Sequence, residues 1–358
     1  MRVVVVGGSL GGLASAARLA RVGHSVVLLE RREEFGPWAI DPLAFPAPWR
    51  DFFTKTGRTL DAELRKAGLV LAPDPAAVTD RGEQWRTMVQ AYGEAAAGQW
   101  RDLLDHEDEV WQALRPLGLE AELTDAAATR QPLLRGTLES VAGRLASPEL
   151  AARVRALALD VGDDPRRTPS WLASRLAVER TFGLWRLSSE AGVAVPGAAL
   201  ADLVVERARA RGVVLRTGVT AVSATEKSVT TDSETFTAAA VILATAPLEI
   251  DRLLGRRPLP WRRLSPGPRG PLWRRPSDWL RRPAVRDASG VFNASTGGRG
   301  GDEPWAQLLG GALAAYAVHE VLTGEDIRPT NKARRRTPRI VQSSEAEAKE
   351  TQSKEDGP

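Results

Sequence analysis

Hydrophobic residues at the start of the chain form two short continuous runs on either side of an alanine-rich stretch. The first run, residues 3–6, leads into a six-residue turn with four glycines, and the second, Ser25–Leu29, ends at Glu30. Continuous runs of this length are typical of strands buried on both faces, whereas residues 13–22 have helical spacing. Residues 2–30 therefore predict a βαβ unit, which requires a parallel sheet.

The middle of the chain has a different period. Large apolar residues recur at steps of three and four between residues 83 and 114, which predicts amphipathic helices. Ser147-Pro148 and Ser170 are each typical of a helix start. The tryptophans of 83–114 fit either a substrate channel or a plain core, and a stripe at helical spacing favours core. We expect residues 51–195 to form a helical substrate or lid region.

Strand periodicity returns in the last third. The pattern predicts a helix at 198–211, strands at 213–217 and 239–244, and hairpin pieces at 219–224 and 229–231. The predicted fold class is α/β, with a Rossmann-like domain built on a parallel sheet plus a helical substrate domain. The segments we assign to the Rossmann-like domain are 1–50, 196–250 and 290–331. Between and after them lie an Arg/Pro/Trp-rich surface segment, 251–289, and a disordered tail, 332–358.

The amino-acid composition excludes several kinds of site and reaction. The chain has 358 residues, of which 43% are hydrophobic and 26% charged, enough for a sizeable core. It contains no cysteine, which excludes disulfides, thiolate metal sites and thiol redox chemistry. Three histidines scattered along the chain suggest no metal site. No secretion signal or apolar run of membrane-spanning length is visible, so we expect a cytoplasmic protein.

The basic residues are unevenly distributed. Residues 252–286 contain eleven arginines, seven prolines and three tryptophans against a single acid, Asp278. This composition fits an acidic surface such as phospholipid headgroups or nucleic acid, or else a solvated loop. No nucleic-acid-binding motif accompanies it, so we expect no nucleic-acid partner. Peripheral association with the inner face of the membrane stays open, and the oligomeric state is unknown.

The first glycine turn indicates a dinucleotide site. The three glycine positions of the GxGxxG fingerprint fall at Gly7, Ser9 and Gly12. Ser9 therefore replaces the second glycine, and Gly8 is next to it. Such a turn brings a pyrophosphate to the amides of a helix N-terminus. The Ser9 side chain costs some clearance there, but its hydroxyl can itself donate to a phosphate. Glu30, 18 residues after Gly12, is placed to accept ribose hydroxyls.

A second glycine-rich turn, residues 297–302, precedes a helix that begins at Glu303-Pro304. If this N-terminus faces the pyrimidine end of a flavin, its partial positive charge stabilises the electrons gained on reduction.

With its glycine turn and Glu30, the N-terminus resembles the phytoene desaturase-like (carotenoid dehydrogenase) branch of the FAD-dependent amine oxidase superfamily. Residues 196–247 and 290–329 resemble two further segments of that family, and all three stand in the family's order. The resemblance implies FAD as cofactor, with a backbone contact from Val219 to adenine. It implies these cofactor-binding residues: Gly7, Gly8, Ser9, Leu10, Gly11, Gly12, Glu30, Arg31, Val219, Ala246, Gly301 and Asp302.

The implied activity is an FAD-dependent desaturation or related redox step on a hydrophobic, isoprenoid or carotenoid substrate, with hydride passing to the flavin. No catalytic residue is assigned, because such chemistry needs mainly a dry channel and a positioned flavin. Ser9 and Gly36-Pro37 depart from the family pattern. The segment between 246 and 290 is also shorter than in the family, which predicts either that the helical region 51–195 closes the pocket alone or that the enzyme is impaired.

Two alternatives stay open: an FAD-dependent aromatic monooxygenase, and a shortened non-catalytic FAD-fold accessory protein. A pyridine-nucleotide disulfide reductase is excluded because the chain has no cysteine.

Overall fold

The structure is a computed structural model that describes residues 1–40, 43–74, 77–114, 135–159, 164–257, 284–295 and 303–328. The chain divides into two compact units, Met1–Glu325 and Asp326–Pro358, and of the second only residues 326–328 are described. The tail at 332–358, most of the Arg/Pro/Trp-rich segment, and Gly301 and Asp302 lie outside the described residues. The elements below belong to the first unit.

The described residues form twelve strands and eleven helices. The strands are β1 (Arg2–Val6), β2 (Ser25–Leu29), β3 (Leu43–Ala44), β4 (Leu69–Pro73), β5 (Leu184–Ser189), β6 (Ala194–Val195), β7 (Val214–Arg216), β8 (Ala221–Ala224), β9 (Ser228–Thr231), β10 (Thr235–Thr237), β11 (Ala240–Leu243) and β12 (Phe292–Asn293). The helices are α1 (Leu10–Arg21), α2 (Ala47–Lys55), α3 (Leu60–Lys66), α4 (Arg81–Tyr92), α5 (Glu94–Leu114), α6 (Leu138–Ala142), α7 (Pro148–Leu159), α8 (Ser174–Phe182), α9 (Ala198–Ala210), α10 (Pro247–Leu253) and α11 (Pro304–Thr323).

The central sheet has five parallel strands in the order β7-β2-β1-β11-β12. Its middle strand, β1, pairs Val3 with Val26 on one side and with Ala240 on the other. The chain builds outward from β1 in one direction and then in the other, as in doubly wound dinucleotide-binding folds. The α/β fold class predicted from the sequence is confirmed.

Both faces of this sheet are covered, which explains the unbroken apolar runs of its strands. Val3 and Val5 pack with residues of α1, α9 and α11 in one core cluster. Val4 and Val6 pack on the other face with α10 and with the antiparallel sheet β8-β9-β10. The predicted hairpin is therefore present, with β10 as a third strand that the sequence pattern did not indicate.

The region 51–195 contains the predicted helices but also strands. The sheet formed by β3, β4, β5 and β6 is antiparallel and draws three of its strands from this region. Its strands alternate weakly between apolar and polar residues and are mostly half-buried. The purely helical description of 51–195 was therefore incomplete.

Helices α5, α6, α7 and α8 share a core of their own. Trp100 is almost fully buried in this core, and Trp111 is almost fully buried in a second, small cluster with Val178. Trp85, on α4, is only half-buried, so the prediction that the tryptophan stripe is core is confirmed for Trp100 and Trp111 and not for Trp85. Ser147 accepts a hydrogen bond from the Leu150 amide at the start of α7, as a capping residue does. Ser170 begins a short 3-10 turn, Ser170–Ala173, that leads into α8. Among the described helices, none is long and apolar enough to cross a membrane.

Candidate dinucleotide-binding site

The turn between β1 and α1 depends on two glycines. Gly7 has φ +106°, a conformation that residues with a side chain rarely adopt, and a Cβ there would lie 2.7 Å from the Ala244 carbonyl oxygen. A Cβ on Gly12 would overlap the Gly7 carbonyl oxygen and lie 2.9 Å from the Ala244 Cβ. The two glycines therefore let α1 begin directly against the carboxyl ends of β1 and β11.

Ser9 has a structural role that differs from the one expected. As the N-cap of α1 it accepts a hydrogen bond from the Gly12 amide (3.3 Å) and donates its own to the Ala244 carbonyl (2.9 Å). A hydroxyl has a single proton to donate. In this arrangement that proton is used within the fold, and donation from Ser9 to a phosphate stays a prediction. The first-turn amides are the donors that helix geometry leaves for an anion.

Glu30 lies at the end of β2, directly beside the glycine turn. Its Oε2 accepts a hydrogen bond from the Gly8 amide (2.6 Å) and its Oε1 from the Arg32 amide (3.0 Å). The Val219 amide donates to the Glu30 carbonyl (2.9 Å), which brings the segment after β7 to the same place. Glu30, Gly8 and Val219 thus meet although they are far apart in sequence.

These groups open onto a cavity of about 730 Å³, within the range of small-molecule and cofactor sites. The predicted site residues that line it are Gly7, Gly8, Ser9, Leu10, Glu30, Arg31, Val219 and Ala246. Gly11 and Gly12 do not line it. A Cβ on Gly11 would overlap the Ala294 carbonyl oxygen, and the Gly12 amide already bonds Ser9. The structure therefore assigns close packing of α1 to both.

The N-terminus of α11 borders the same cavity, through Glu303, Pro304, Trp305 and Gln307. Glu303 is the N-cap residue and Pro304 begins the helix, as the sequence predicted. The predicted contacts Gly301 and Asp302 immediately precede it but lie outside the described residues. Two helix N-termini from opposite ends of the chain therefore face one cavity.

Sequence reasoning missed the segment that supplies the apolar wall, which contributes Trp38, Ile40, Leu43 and Trp49. Trp38 and Ile40 lie between β2 and β3, Leu43 is in β3, and Trp49 is in the first turn of α2. No periodicity connects these positions, so no spacing indicated them. Among the described residues, the buried indole N–H groups of Trp38 and Trp49 have no hydrogen-bond partner, and neither does the buried hydroxyl of Thr245. Unpartnered polar groups on a cavity wall favour a ligand with polar atoms of its own.

The charges lining the cavity balance. The carboxylates are Glu30, Glu249 and Glu303, and the guanidinium groups are Arg31, Arg32 and Arg175. A hydrogen bond from Arg252 holds the pKa of Glu249 below its ordinary value despite the opposing effect of burial. Arg31 and Arg32 are exposed and the other four are half-buried, so the charges of this cavity remain accessible to a ligand.

Two histidines that the sequence leaves far apart come together elsewhere. His24 Nε2 and His319 Nδ1 are 2.9 Å apart and both rings are buried. Burial, the nearby N-terminal ammonium and His319 all lower the pKa of His24. Neither ring lines the cavity. Within the described part of the chain, no group of three or more His, Asp or Glu residues is arranged to hold a metal ion.

Comparison with known proteins agrees with this geometry at the level of the domain. Residues 5–43 match the family model of the NAD(P)-binding Rossmann-like domain. No curated protein matches the sequence.

Solved structures resemble the chain at low identity. A protein from Pyrococcus furiosus is 17% identical with a TM-score of 0.47, covering 71% of this chain and 62% of its own. An oxidoreductase from Methanosarcina mazei is 16% identical (TM-score 0.43; 71% and 61% covered), and a putrescine oxidase bound to putrescine is 18% identical (0.44; 72% and 62%). This chain spans about three fifths of the length of these structures. Similarity at this level says nothing about substrate or reaction. The fold and the family match together identify a Rossmann-like domain that includes the N-terminal glycine turn.

Proposed function

We propose that the protein binds FAD in an extended form and acts as an FAD-dependent oxidoreductase. The observation that carries the proposal is the single cavity that both helix N-termini border, α1 beside Glu30 and α11 beside Glu303. A pyrophosphate and an electron-accepting ring are the two parts of FAD that gain from a helix N-terminus. A nicotinamide dinucleotide would use the first but has no comparable need for the second.

The residues present fit FAD at the adenosine end. Glu30 would accept hydrogen bonds from the ribose hydroxyls. These bonds would replace the one that its carboxylate now accepts from the Gly8 amide. The backbone amides of Gly8 and Leu10, which line the cavity at the start of α1, would hold the pyrophosphate. Because the Val219 amide is already bonded to Glu30, the backbone contact from Val219 to adenine would use its carbonyl.

The opposite end of the cavity would hold the isoalloxazine ring between the N-terminus of α11 and the apolar wall that contains Trp38 and Trp49. Bound FAD would supply the acceptor for a hydride. The chain itself would orient the ring and exclude water with Trp38, Trp49 and Trp305, since a dry site protects reduced intermediates from side reactions. The unpartnered donors on Trp38, Trp49 and Thr245 would find acceptors on such a ligand.

The substrate class follows from the sequence resemblance and is proposed on that basis. We propose a hydrophobic, isoprenoid or carotenoid substrate, for which the apolar wall is suitable. Peripheral membrane association through residues 252–286 would give access to such a substrate and is likewise a proposal, since 258–283 lie outside the described residues.

The cofactor proposal is tested on the purified protein by its absorption spectrum and by FAD titration. We expect an oxidised flavin spectrum and a tenfold or greater loss of FAD affinity in Glu30→Ala, because a hydrogen bond to a charged group contributes about 1.5–3 kcal/mol. Glu34→Ala is the matched control: Glu34 is exposed, lies in the same loop and does not line the cavity.

Equal FAD affinity in Glu30→Ala and the parent would contradict the site. Failure of the parent protein to take up FAD, with saturable binding of NAD or NADP instead, would overturn the cofactor itself.

A further inference from the structure

An ion-paired cluster joins the helical region to the second helix N-terminus at the cavity. Arg175, in the first turn of α8, contacts Glu303 through Nη1 (2.6 Å to Oε1) and Glu179 through Nε (3.2 Å to Oε1). The other oxygen of Glu303 accepts a hydrogen bond from the Trp305 indole (3.2 Å). Both oxygens of Glu303 are thus held, and Arg175 and Glu303 line the cavity.

Glu303 is an unusual residue for this position. It is the N-cap of α11, yet its side chain makes no capping hydrogen bond to the helix. A helix N-terminus carries roughly half a positive charge, so one unpaired carboxylate there would more than cancel its effect on a group in the cavity. Arg175 supplies the positive charge that offsets this carboxylate.

Glu179 adds to the need for Arg175. Burial raises the pKa of Glu179, against the opposing effect of Arg175, and the charge of Glu303 raises it further. The two carboxylates, Glu179 and Glu303, share Arg175 in a half-buried setting, and Arg153 is a second positive charge that acts on Glu179. Charge interactions in such a setting are stronger than in water. Removing Arg175 would leave this end of the cavity with a net negative charge.

We propose that Arg175 is a positioning residue that keeps the α11 end of the cavity electropositive by neutralising Glu303, and thereby raises the reduction potential of the bound flavin. The inference rests on the proposed function, because it requires a flavin in this cavity. It assigns to the helical region a direct electrostatic role at the redox end of the site.

The experiment measures the flavin reduction potential of FAD-loaded parent, Arg175→Met, Glu303→Gln and the double variant. Reduction adds negative charge, so Arg175→Met is expected to shift the oxidised-to-reduced equilibrium about tenfold toward oxidised flavin, ~30 mV for a two-electron couple. Glu303→Gln is expected to shift it in the opposite direction. The double variant, which restores the local charge, is expected to return close to the parent value.

Arg101→Met is the control, since Arg101 is exposed, pairs with neighbouring Asp102 and does not line the cavity. A merely structural role for Arg175 would lower FAD affinity without opposite shifts in the two single variants. If Arg175→Met does not bind FAD, the reduction potential of Glu303→Gln tests the inference by itself. An unchanged potential in that variant overturns the inference. A parent protein that binds no FAD overturns the proposed function and this inference with it, whereas normal binding with unshifted potentials overturns only the inference.

Discussion

Glu107 is a buried glutamate whose surroundings disfavour the ionised carboxylate. It lies on α5 with 1% of its surface exposed, and its Oε2 has no hydrogen-bond partner in the part of the chain that the structure describes. Burial raises its pKa to about 7, although the charge of Arg144 acts in the opposite direction. Because the folded state favours the protonated acid, Glu107 contributes stability below its unfolded pKa of about 4.3, and this contribution is lost as the pH rises toward 7.

Glu107→Gln is therefore expected to unfold with a higher free energy than the parent at pH 8, by up to ~3 kcal/mol, and with no such gain near pH 4. Urea denaturation at several pH values measures this difference. Glu109→Gln is the control, because Glu109 is on the same helix but exposed. A gain of equal size at both pH values would show that packing, and not ionisation, is responsible.

At the scale of elements, the contact between α1 and α11 places the two helix N-termini on one cavity. The helices approach closely at Gly311, where a Cβ would overlap the Gly11 carbonyl oxygen and lie 2.9 Å from the Ala14 Cβ. Gly310, one residue earlier, has open space around its position. Two adjacent glycines of the same helix therefore differ in packing: Gly311 contacts α1 closely, whereas Gly310 does not.

Gly311→Ala is expected to destabilise the protein by about 1–3 kcal/mol, because the helices must separate. Gly310→Ala is expected to be neutral or to stabilise by up to about 1 kcal/mol, since alanine favours the helix more than glycine does. Thermal and urea unfolding of the two variants measure the contrast. Similar stabilities would mean that the two helices are not in such close contact.

At the scale of the whole molecule, the length of the chain between residues 246 and 290 affects the catalytic activity that we expect. Under the proposed function, a segment shorter than that of phytoene desaturase-like enzymes would leave a bound flavin more open to water and weaken substrate capture. We therefore expect slow or undetectable desaturation of a phytoene-like substrate, together with ready reoxidation of the reduced flavin in air.

Anaerobic mixing of the FAD-loaded protein with phytoene in liposomes, followed by flavin absorbance, measures the reaction, and free FAD in the same liposomes is the control. Rapid bleaching with formation of a conjugated product would show instead that residues 51–195 supply a complete pocket.

Local patterns were sufficient for the elements that carry strong periodicity or a capping residue. The run at residues 3–6, the turn at Gly7 and the helix start at Pro304 were all predicted from neighbouring residues, because backbone conformation and burial on both faces depend on short-range sequence. The antiparallel sheet of β3 to β6 was missed because its strands are short and only weakly alternating.

The sequence by itself determined the βαβ unit, the glycine turn and the acid at the end of β2. Tertiary structure decided which groups meet: that the Ser9 hydroxyl bonds Ala244, that Gly11 and Gly12 pack, and that Arg175 reaches Glu303. The physical reason is that a helix or a turn is stabilised by residues close in the chain, whereas a cavity wall is formed by side chains whose positions depend on the packing of every element between them.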